Sequence, residues 1–178
     1  MKRDTIRRFG VIGGLGALAS ADVLFKLMKA APASTGAAPF DVVFEQHPWR
    51  SVGPIDTATT ERKLYIFDLM RDFEKRGVTT VVLPCFMSHT FIDELRANSR
   101  LEVVDIVEAA RRWVERRFPA ATRIGMLASA YTREKRLFER YFGAPRFDVV
   151  HPREQGGIDC VTQAVYGEDG IKAGTLRG

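Results

Sequence analysis

Cysteine and histidine are scarce in this chain, which has two cysteines and three histidines among 178 residues. Two cysteines cannot build a disulfide framework, so we expect a reducing, cytoplasmic setting. Neither a C-x-x-C nor an H-x-x-x-H spacing occurs, and this excludes the common zinc motifs. We therefore predict no metal site, and we interpret Cys160, which lies near a predicted helix start, as a structural residue.

Long hydrophobic runs are also missing, since no apolar stretch approaches the roughly 18 residues that span a bilayer. The most apolar segment, 9–27, is interrupted by Gly13, Gly14, Gly16 and Asp22. Basic residues precede it and mimic a signal peptide, but the glycines fit a strand-to-helix turn better. We expect neither export nor a membrane partner.

The chain carries a net charge of +5, with 46% hydrophobic and 28% charged residues, which is typical of globular proteins. Much of the basic excess lies in 108–117, where arginines alternate with Glu108 and Glu115 at helical spacing. This pattern indicates a solvated helix face and not a nucleic-acid patch. The buried face of that helix is predicted to carry Ile106, Val107, Ala110, Trp113 and Val114.

Strand-like runs alternate with helix-like runs along the chain. The predicted strands are 8–12, 41–45, 78–83, 103–104, 123–127 and 147–150. The predicted helices include 18–30, one that Thr60 caps and Gly77 ends, one that begins near Phe91 with a Thr90–Asp93 capping box, 132–142 and 158–172. This alternation predicts an α/β fold with parallel sheets and helices on both faces.

A weak internal repeat divides the chain. The pattern of 9–12 returns at 124–127, and Phe-Asp-Val-Val occurs at both 40–43 and 147–150. We infer two similar Rossmann-like or flavodoxin-like halves, 1–119 and 120–178, with the active site in the cleft between them. The first lobe carries Cys85. The same spacing applied to the second lobe runs past Gly178, so we expect that lobe to be partial.

Cys85 follows an apolar, β-branched run and precedes a predicted helix start. A helix N-terminus or a nearby cation favours the reactive thiolate form of a cysteine, and His89, four residues later, could assist. A buried, unreactive cysteine fits the same position, because free cysteine is among the most buried residue types. Both interpretations stay open at the level of residue pattern.

Two further segments have the composition of ligand-binding loops. Gly14, Gly16 and Ala19 match the G-x-G-x-x-A pattern of dinucleotide-binding turns, although Glu45, the candidate acidic partner, lies 31 residues after Gly14. The same glycines would let a small carboxylate or phosphate approach the backbone. Ser129 and Thr132 follow a second-lobe strand and could hold a ligand, while Thr132 equally suits a helix cap.

Several segments resemble the aspartate/glutamate racemase family of cofactor-independent enzymes. Residues 12–20 are similar to its Gly-Gly-Met-Gly-Pro-x-Ala-Thr start, 84–89 to its Pro-Cys-Asn-Thr-Ala-His loop and 125–132 to its Gly-Leu-Leu-Ala-Thr-x-Gly-Thr segment. Further along, His151-Pro152 and 170–174 resemble the stretch that ends in Ile-Lys-x-Gly. The resemblance covers nearly the whole chain.

In that family two cysteines flank the substrate Cα, one removing a proton and the other delivering one to the opposite face. The resemblance makes Cys85 one of these bases and implies an amino-acid or carboxylic-acid substrate, no cofactor and a homodimer. Arg50 is the candidate partner for a substrate carboxylate, because a guanidinium binds one in bidentate fashion. The other residues that it implies at the substrate site are Gly14, Leu15, Gly16, Phe86, Met87, Ser129, Tyr131, Thr132 and Lys172.

The sequence departs from the family pattern at two points. Phe86-Met87 stands where the family has Asn-Thr, which predicts a larger or less polar substrate. The family's Gly-Cys-Thr-Glu loop, with the partner cysteine, is not found and is expected beyond Gly178. Two alternatives to a racemase remain: a nucleotide-binding Rossmann domain, and a non-catalytic relative that binds a small ligand.

Overall fold

Six strands alternate with helices along the part of the chain that the computed structural model describes, which comprises residues 7–30, 40–47, 55–153 and 159–174. The chain divides into two compact units, Met1–Ile106 and Val107–Gly178. The sequence pattern placed the lobe boundary after residue 119, and the lobe to which the intervening helix belongs stays a prediction. None of the helices in the described ranges is long and apolar enough to cross a membrane.

A four-stranded parallel sheet forms the first unit, in the order β2-β1-β3-β4. Its strands are β1 (Arg7–Ile12), β2 (Phe40–Glu45), β3 (Thr80–Val82) and β4 (Glu102–Val104). The central position of β3 agrees with its unbroken apolar, β-branched sequence, which suits a strand covered on both faces. Because β1 and β3 are parallel neighbours, the loops that follow them leave the same edge of the sheet.

Four helices accompany this sheet: α1 (Ala17–Ala30), α2 (Ile55–Lys75), α3 (Phe86–His89) and α4 (Ile92–Ala97). Ile66, Met70 and Phe73 repeat at helical spacing on α2 and are fully buried. They join Val81 and Leu95 in the core of this unit. Each such side chain contributes about 1.5–3 kcal/mol when it leaves water, so this stripe holds α2 firmly against the sheet.

Two predicted helix caps in this unit are wrong. Thr60 lies inside α2, which begins at Ile55, so no free N-terminal N–H groups face its hydroxyl. The Thr90–Asp93 capping box does not form, because α3 begins directly after Cys85 and Thr90 is the C-cap that follows it. The Thr90 hydroxyl donates to the Met87 carbonyl over 2.7 Å. Phe91 occupies the N-cap of α4 without a side-chain hydrogen bond.

The second unit contains a parallel pair of strands, β5 (Arg123–Gly125) and β6 (Asp148–Val150). Its helices are α5, which begins at the boundary (Ile106–Arg117), α6 (Ala130–Glu134), α7 (Leu137–Phe142) and α8 (Cys160–Tyr166). Together with the first sheet, this pair confirms the predicted α/β class with parallel strands.

Three helix predictions in this region need correction. The single helix 132–142 is interrupted at Arg136, whose φ of 50° lies in the left-handed region and separates α6 from α7. The helix predicted over 158–172 ends at Tyr166, because Gly167 is extended, and Ile171–Ala173 forms a separate 3-10 turn. Trp113 is 55% exposed, not buried, and its ring meets that of Phe118 edge to face.

Candidate functional site

Cys85 follows β3 at the carboxyl edge of the sheet. The Cys85 N–H donates to the Leu83 carbonyl over 2.8 Å, which closes a tight turn around Pro84. The cysteine is free and half-buried, packs against the core, and occupies the N-cap of α3. Its sulfur accepts no cap hydrogen bond from the α3 backbone, contrary to the expectation that helix N–H groups would hold the thiolate.

A cation lies beside the sulfur. Arg62 of α2 is only 8% exposed, and its Nη1 donates to Cys85 Sγ over 3.4 Å. The interpretation of the sequence missed this residue. The spacing of Arg62 could have indicated its burial. Arg62 lies four residues before Ile66 and therefore continues the buried stripe of α2 towards the N-terminus of the helix.

His89 holds the main chain of the cysteine. Its ring is buried, with Nδ1 2.9 Å from the Cys85 carbonyl oxygen and Nε2 3.3 Å from the Ile106 nitrogen. A carbonyl only accepts and an N–H only donates, so the proton resides on Nδ1 and Nε2 is the acceptor. Burial lowers the pKa of His89, which agrees with this neutral form.

The glycine loop between β1 and α1 is held by its own neighbours in the fold. The Gly13 N–H donates to the Glu45 carbonyl over 2.8 Å, and the Gly14 N–H donates to Gln46 Oε1 over 2.9 Å. Gly14 has a φ of 84°, and a Cβ there would lie 2.3 Å from the His47 carbonyl oxygen. Close approach of the β2 end therefore explains these glycines without any bound phosphate.

The dinucleotide interpretation gains no support from this loop. The Gly14 N–H is already bonded to Gln46, and Glu45, the candidate ribose partner, is hydrogen-bonded to Arg76. The other Glu45 carboxylate oxygen lies 3.2 Å from His47 Nε2. A ribose hydroxyl would have to displace these contacts to reach the carboxylate.

Helix α2 contacts both loops at this edge of the sheet. The Tyr65 hydroxyl donates to the Gly13 carbonyl over 2.9 Å, and Arg62, one turn earlier, reaches Cys85. Burial raises the pKa of Tyr65, so the hydroxyl keeps its proton and remains a donor. The predicted site residues that are described in the first unit thus lie in two adjacent segments that α2 contacts, the glycine loop and the stretch from Cys85 into α3. They are Gly14, Leu15, Gly16, Cys85, Phe86 and Met87.

The side chains in these loops differ in exposure. Leu15 is buried, while Phe86, directly after the thiol, is 45% exposed, and Met87 is half-buried. The Gly16 carbonyl accepts the N–H and the hydroxyl of Ser20, both over 3.0 Å. Arg50, the candidate carboxylate partner, lies outside the described residues.

The remaining predicted site residues belong to the second unit. Ser129, not Thr132, caps α6: its Oγ accepts the Thr132 N–H over 3.4 Å and lies 3.0 Å from the Thr132 hydroxyl. Tyr131 lies beneath the Lys135 ammonium group at 5.7 Å. Lys172 is exposed, with Nζ 4.6 Å from the centre of the Tyr166 ring. The role of Ser129, Tyr131, Thr132 and Lys172 in a substrate site stays a prediction.

Cys160 is exposed at the first position of α8, behind the N-cap Asp159. In the described ranges, no three His, Cys, Asp or Glu side chains group as metal ligands.

The sequence of the chain matches the model of the Asp/Glu/hydantoin racemase family over residues 12–173. The chain belongs to this family. Membership confirms the resemblance that the Cys85 loop and the glycine loop indicated.

Solved racemase structures share the fold. Picrophilus torridus aspartate racemase matches with a TM-score of 0.71 at 16% identity, over 89% of this chain and 66% of that chain. An aspartate racemase homologue from Pyrococcus horikoshii OT3 matches with a TM-score of 0.70 at 13% identity, over 89% of this chain and 70% of that chain. Campylobacter jejuni glutamate racemase matches with a TM-score of 0.55 at 16% identity, over 81% of this chain and 56% of that chain. The chain thus spans just under two thirds of the Picrophilus protein and little more than half of the Campylobacter protein.

Proposed function

We propose that this protein is a cofactor-independent racemase or isomerase of a small amino acid, and that Cys85 is the base that removes the proton from Cα. The observation that carries the proposal is the position of Cys85. It is a free, half-exposed thiol at the carboxyl edge of the central strand, next to a buried guanidinium, in a chain of the racemase family. Thiolates, not thiols, act as bases and nucleophiles, and a cation favours the thiolate.

In the proposed reaction, the Cys85 thiolate takes the Cα proton. An S–H bond forms, the C–H bond breaks, and its electron pair moves into the adjacent carboxylate group. Return of the proton from Cys85 restores the original configuration, whereas a proton from an acid on the opposite face inverts it. General acid–base catalysis of this kind contributes about 10²–10⁴-fold for a well-placed group.

The substrate site in this proposal extends beyond the thiol. The glycine loop, with Gly14, Leu15 and Gly16, would border the substrate on the β1 side, and Arg50 would hold its carboxylate. Ser129, Tyr131, Thr132 and Lys172 would supply polar contacts to the substrate. This arrangement rests on the resemblance of these segments to the family motifs.

The apolar side chains of Phe86 and Met87 favour a substrate that is less polar than aspartate. Phe86 is 45% exposed beside the thiol, where the family pattern has an asparagine. An apolar side chain offers no hydrogen bond to a second carboxylate, but it favours contact with an aliphatic or aromatic substituent. We therefore infer an amino acid with an apolar side chain as the preferred substrate class.

Exchange of the Cα hydrogen in D₂O tests this proposal. The protein is incubated with a panel that contains aspartate, glutamate, leucine, methionine and phenylalanine in both configurations, and loss of the Cα–H signal is followed by proton NMR. We expect exchange with at least one member, and faster exchange for an apolar acid than for aspartate. No exchange with any acid would leave a non-catalytic relative. Tight NAD binding that is insensitive to Cys85→Ser would establish the dinucleotide alternative instead.

A further inference from the structure

A buried guanidinium contacts the thiol of Cys85. Arg62 lies on the buried stripe of α2 and is 8% exposed, so its guanidinium is held at the sulfur by the packing of the helix. A thiolate at 3.4 Å supplies negative charge, whereas a neutral thiol supplies only a weak acceptor.

We propose that Arg62 is the positioning residue of this site: its guanidinium pairs with the Cys85 thiolate and fixes the direction of the sulfur. The inference rests on the proposed function, because a base at Cα has to be both charged and oriented. The alternative role of Arg62 is to anchor the substrate carboxylate. Its burial on the core stripe disfavours that role, because a substrate anchor has to remain accessible.

The reaction of Cys85 with iodoacetamide measures the pairing without any substrate. The thiolate is the reacting form, and iodoacetamide is neutral, so its rate reports how much of the sulfur is ionised. The variants are made in the 178-residue chain and all carry Cys160→Ser, which leaves Cys85 as the one thiol of that chain. At pH 7 we expect Arg62→Met to lower the alkylation rate about tenfold relative to the parent protein. Arg62→Lys, which keeps a positive charge, should restore most of that rate.

Lys63→Met is the matched control. It removes the same charge from the adjacent residue of the same helix, but the Lys63 Nζ pairs with Glu94 at 2.7–2.8 Å. We expect Lys63→Met to alkylate at the parent rate. Equal losses in Lys63→Met and Arg62→Met would show an effect of net charge alone and would overturn the pairing.

Folding of each variant is checked by circular dichroism and thermal melting. If Arg62→Met does not fold, Arg62→Gln takes its place, because its amide keeps a polar head at the buried position. An unchanged alkylation rate in the folded neutral variant contradicts the proposal. With a substrate in hand, a higher KM at unchanged kcat in Arg62→Met would make Arg62 the carboxylate anchor and contradict the pairing as well.

The two proposals fail in different ways. If no acid exchanges its Cα hydrogen but Arg62→Met still slows alkylation and Arg62→Lys restores it, the pairing stands and the racemase function fails. If exchange requires Cys85 while alkylation does not respond to Arg62, the function stands and the pairing fails.

Discussion

His89 Nδ1 lies 2.9 Å from the carbonyl oxygen of Cys85, so the histidine that follows the thiol by four residues fixes the main chain from which the thiol projects. On its other side, the ring accepts the Ile106 N–H over 3.3 Å. One buried imidazole thus ties the Cys85 loop to the segment that follows β4. The bridge requires a neutral ring with its proton on Nδ1, because protonation of Nε2 would remove the acceptor.

The His89 bridge predicts a loss of stability in mild acid. Burial lowers the pKa of His89 below the ordinary value of 6.5. Well above pH 6.5 the ring is neutral in both states and its contribution is complete; as the pH falls through 6.5, the unfolded chain binds a proton that the folded chain resists. We expect the free energy of unfolding in urea to fall between about pH 7.5 and 5.5.

His89→Asn tests this origin, since its amide can still donate to the Cys85 carbonyl but does not titrate. The variant leaves the Ile106 N–H without its acceptor, so we expect it to be less stable by about 1–3 kcal/mol at neutral pH. Its unfolding free energy should change less with pH over the same range. An equally steep pH dependence in both proteins would rule out His89 as the cause.

Gly14→Ala should destabilise the glycine loop. The residue has a φ of 84°, and the added Cβ would lie 2.3 Å from the His47 carbonyl oxygen and 2.4 Å from the Tyr65 hydroxyl. The left-handed backbone alone costs about 1–2 kcal/mol for an alanine, and the clash adds to this. We expect urea unfolding to show a loss of about 2 kcal/mol or more.

Gly125→Ala is the control for this loss. A Cβ at Gly125 would meet nothing within 4 Å, and its φ lies outside the left-handed region. This substitution should change the unfolding free energy by less than about 1 kcal/mol. Similar effects of the two substitutions would contradict the close approach at Gly14.

Asp159 should stabilise the start of α8. Its carboxylate accepts the Val161 and Thr162 N–H groups and pairs with Arg133 at 2.8 Å. Hydrogen bonds from the Thr162 side chain and from Arg133 lower the pKa of Asp159 to about 2. We expect Asp159→Ala to lower the free energy of local opening, measured by amide hydrogen exchange in α8, by about 1–2 kcal/mol.

Asp159→Asn separates the cap from the charge, because asparagine is also a good N-cap. Asp159→Asn should lower the free energy of local opening of α8 by less than Asp159→Ala does. The contribution of the wild-type carboxylate is complete above its ordinary pKa of 3.8 and disappears as the pH falls towards 2. Equal amide exchange in the wild type and in Asp159→Ala would contradict this account.

The Phe86-Met87 pair predicts the direction of a specificity change. Replacing it with Asn-Thr, by Phe86→Asn and Met87→Thr, restores the polar groups that the family pattern has after its cysteine. We expect the ratio of exchange rates for aspartate over an apolar acid to rise about tenfold or more, because the new groups can pair with a second carboxylate. An unchanged ratio would remove these residues from the substrate site.

The strands were predictable because their signal is local. Apolar β-branched runs mark β1, β2 and β3, and the parallel arrangement follows from the helices between them. The position of Cys85 at a sheet edge followed from the same pattern. The family motifs then identified this loop and the glycine loop, and the neighbouring positions of β1 and β3 bring the two loops together.

The missed features depend on tertiary contacts. Arg62 is a charged residue that the pattern assigns to solvent, and only the packed stripe through Ile66 and Met70 places it beside the sulfur. No glycine or proline lies at Arg136, where the chain breaks between α6 and α7, so the residue pattern does not indicate this break. Thr90 was expected at a helix start, but α3 begins directly at Phe86, and the length of that single turn decides the role of Thr90.

The most direct test of the central claim compares two cysteine variants in the D₂O exchange experiment, with the acid that the wild type exchanges fastest. Cys85→Ser removes the proposed base, and Cys160→Ser removes an exposed thiol at the start of α8. We predict that Cys160→Ser exchanges the Cα hydrogen at the wild-type rate. The exchange rate of Cys85→Ser should be at least about 100-fold lower. Exchange by folded Cys85→Ser at the wild-type rate would contradict the assignment of Cys85 as the catalytic base.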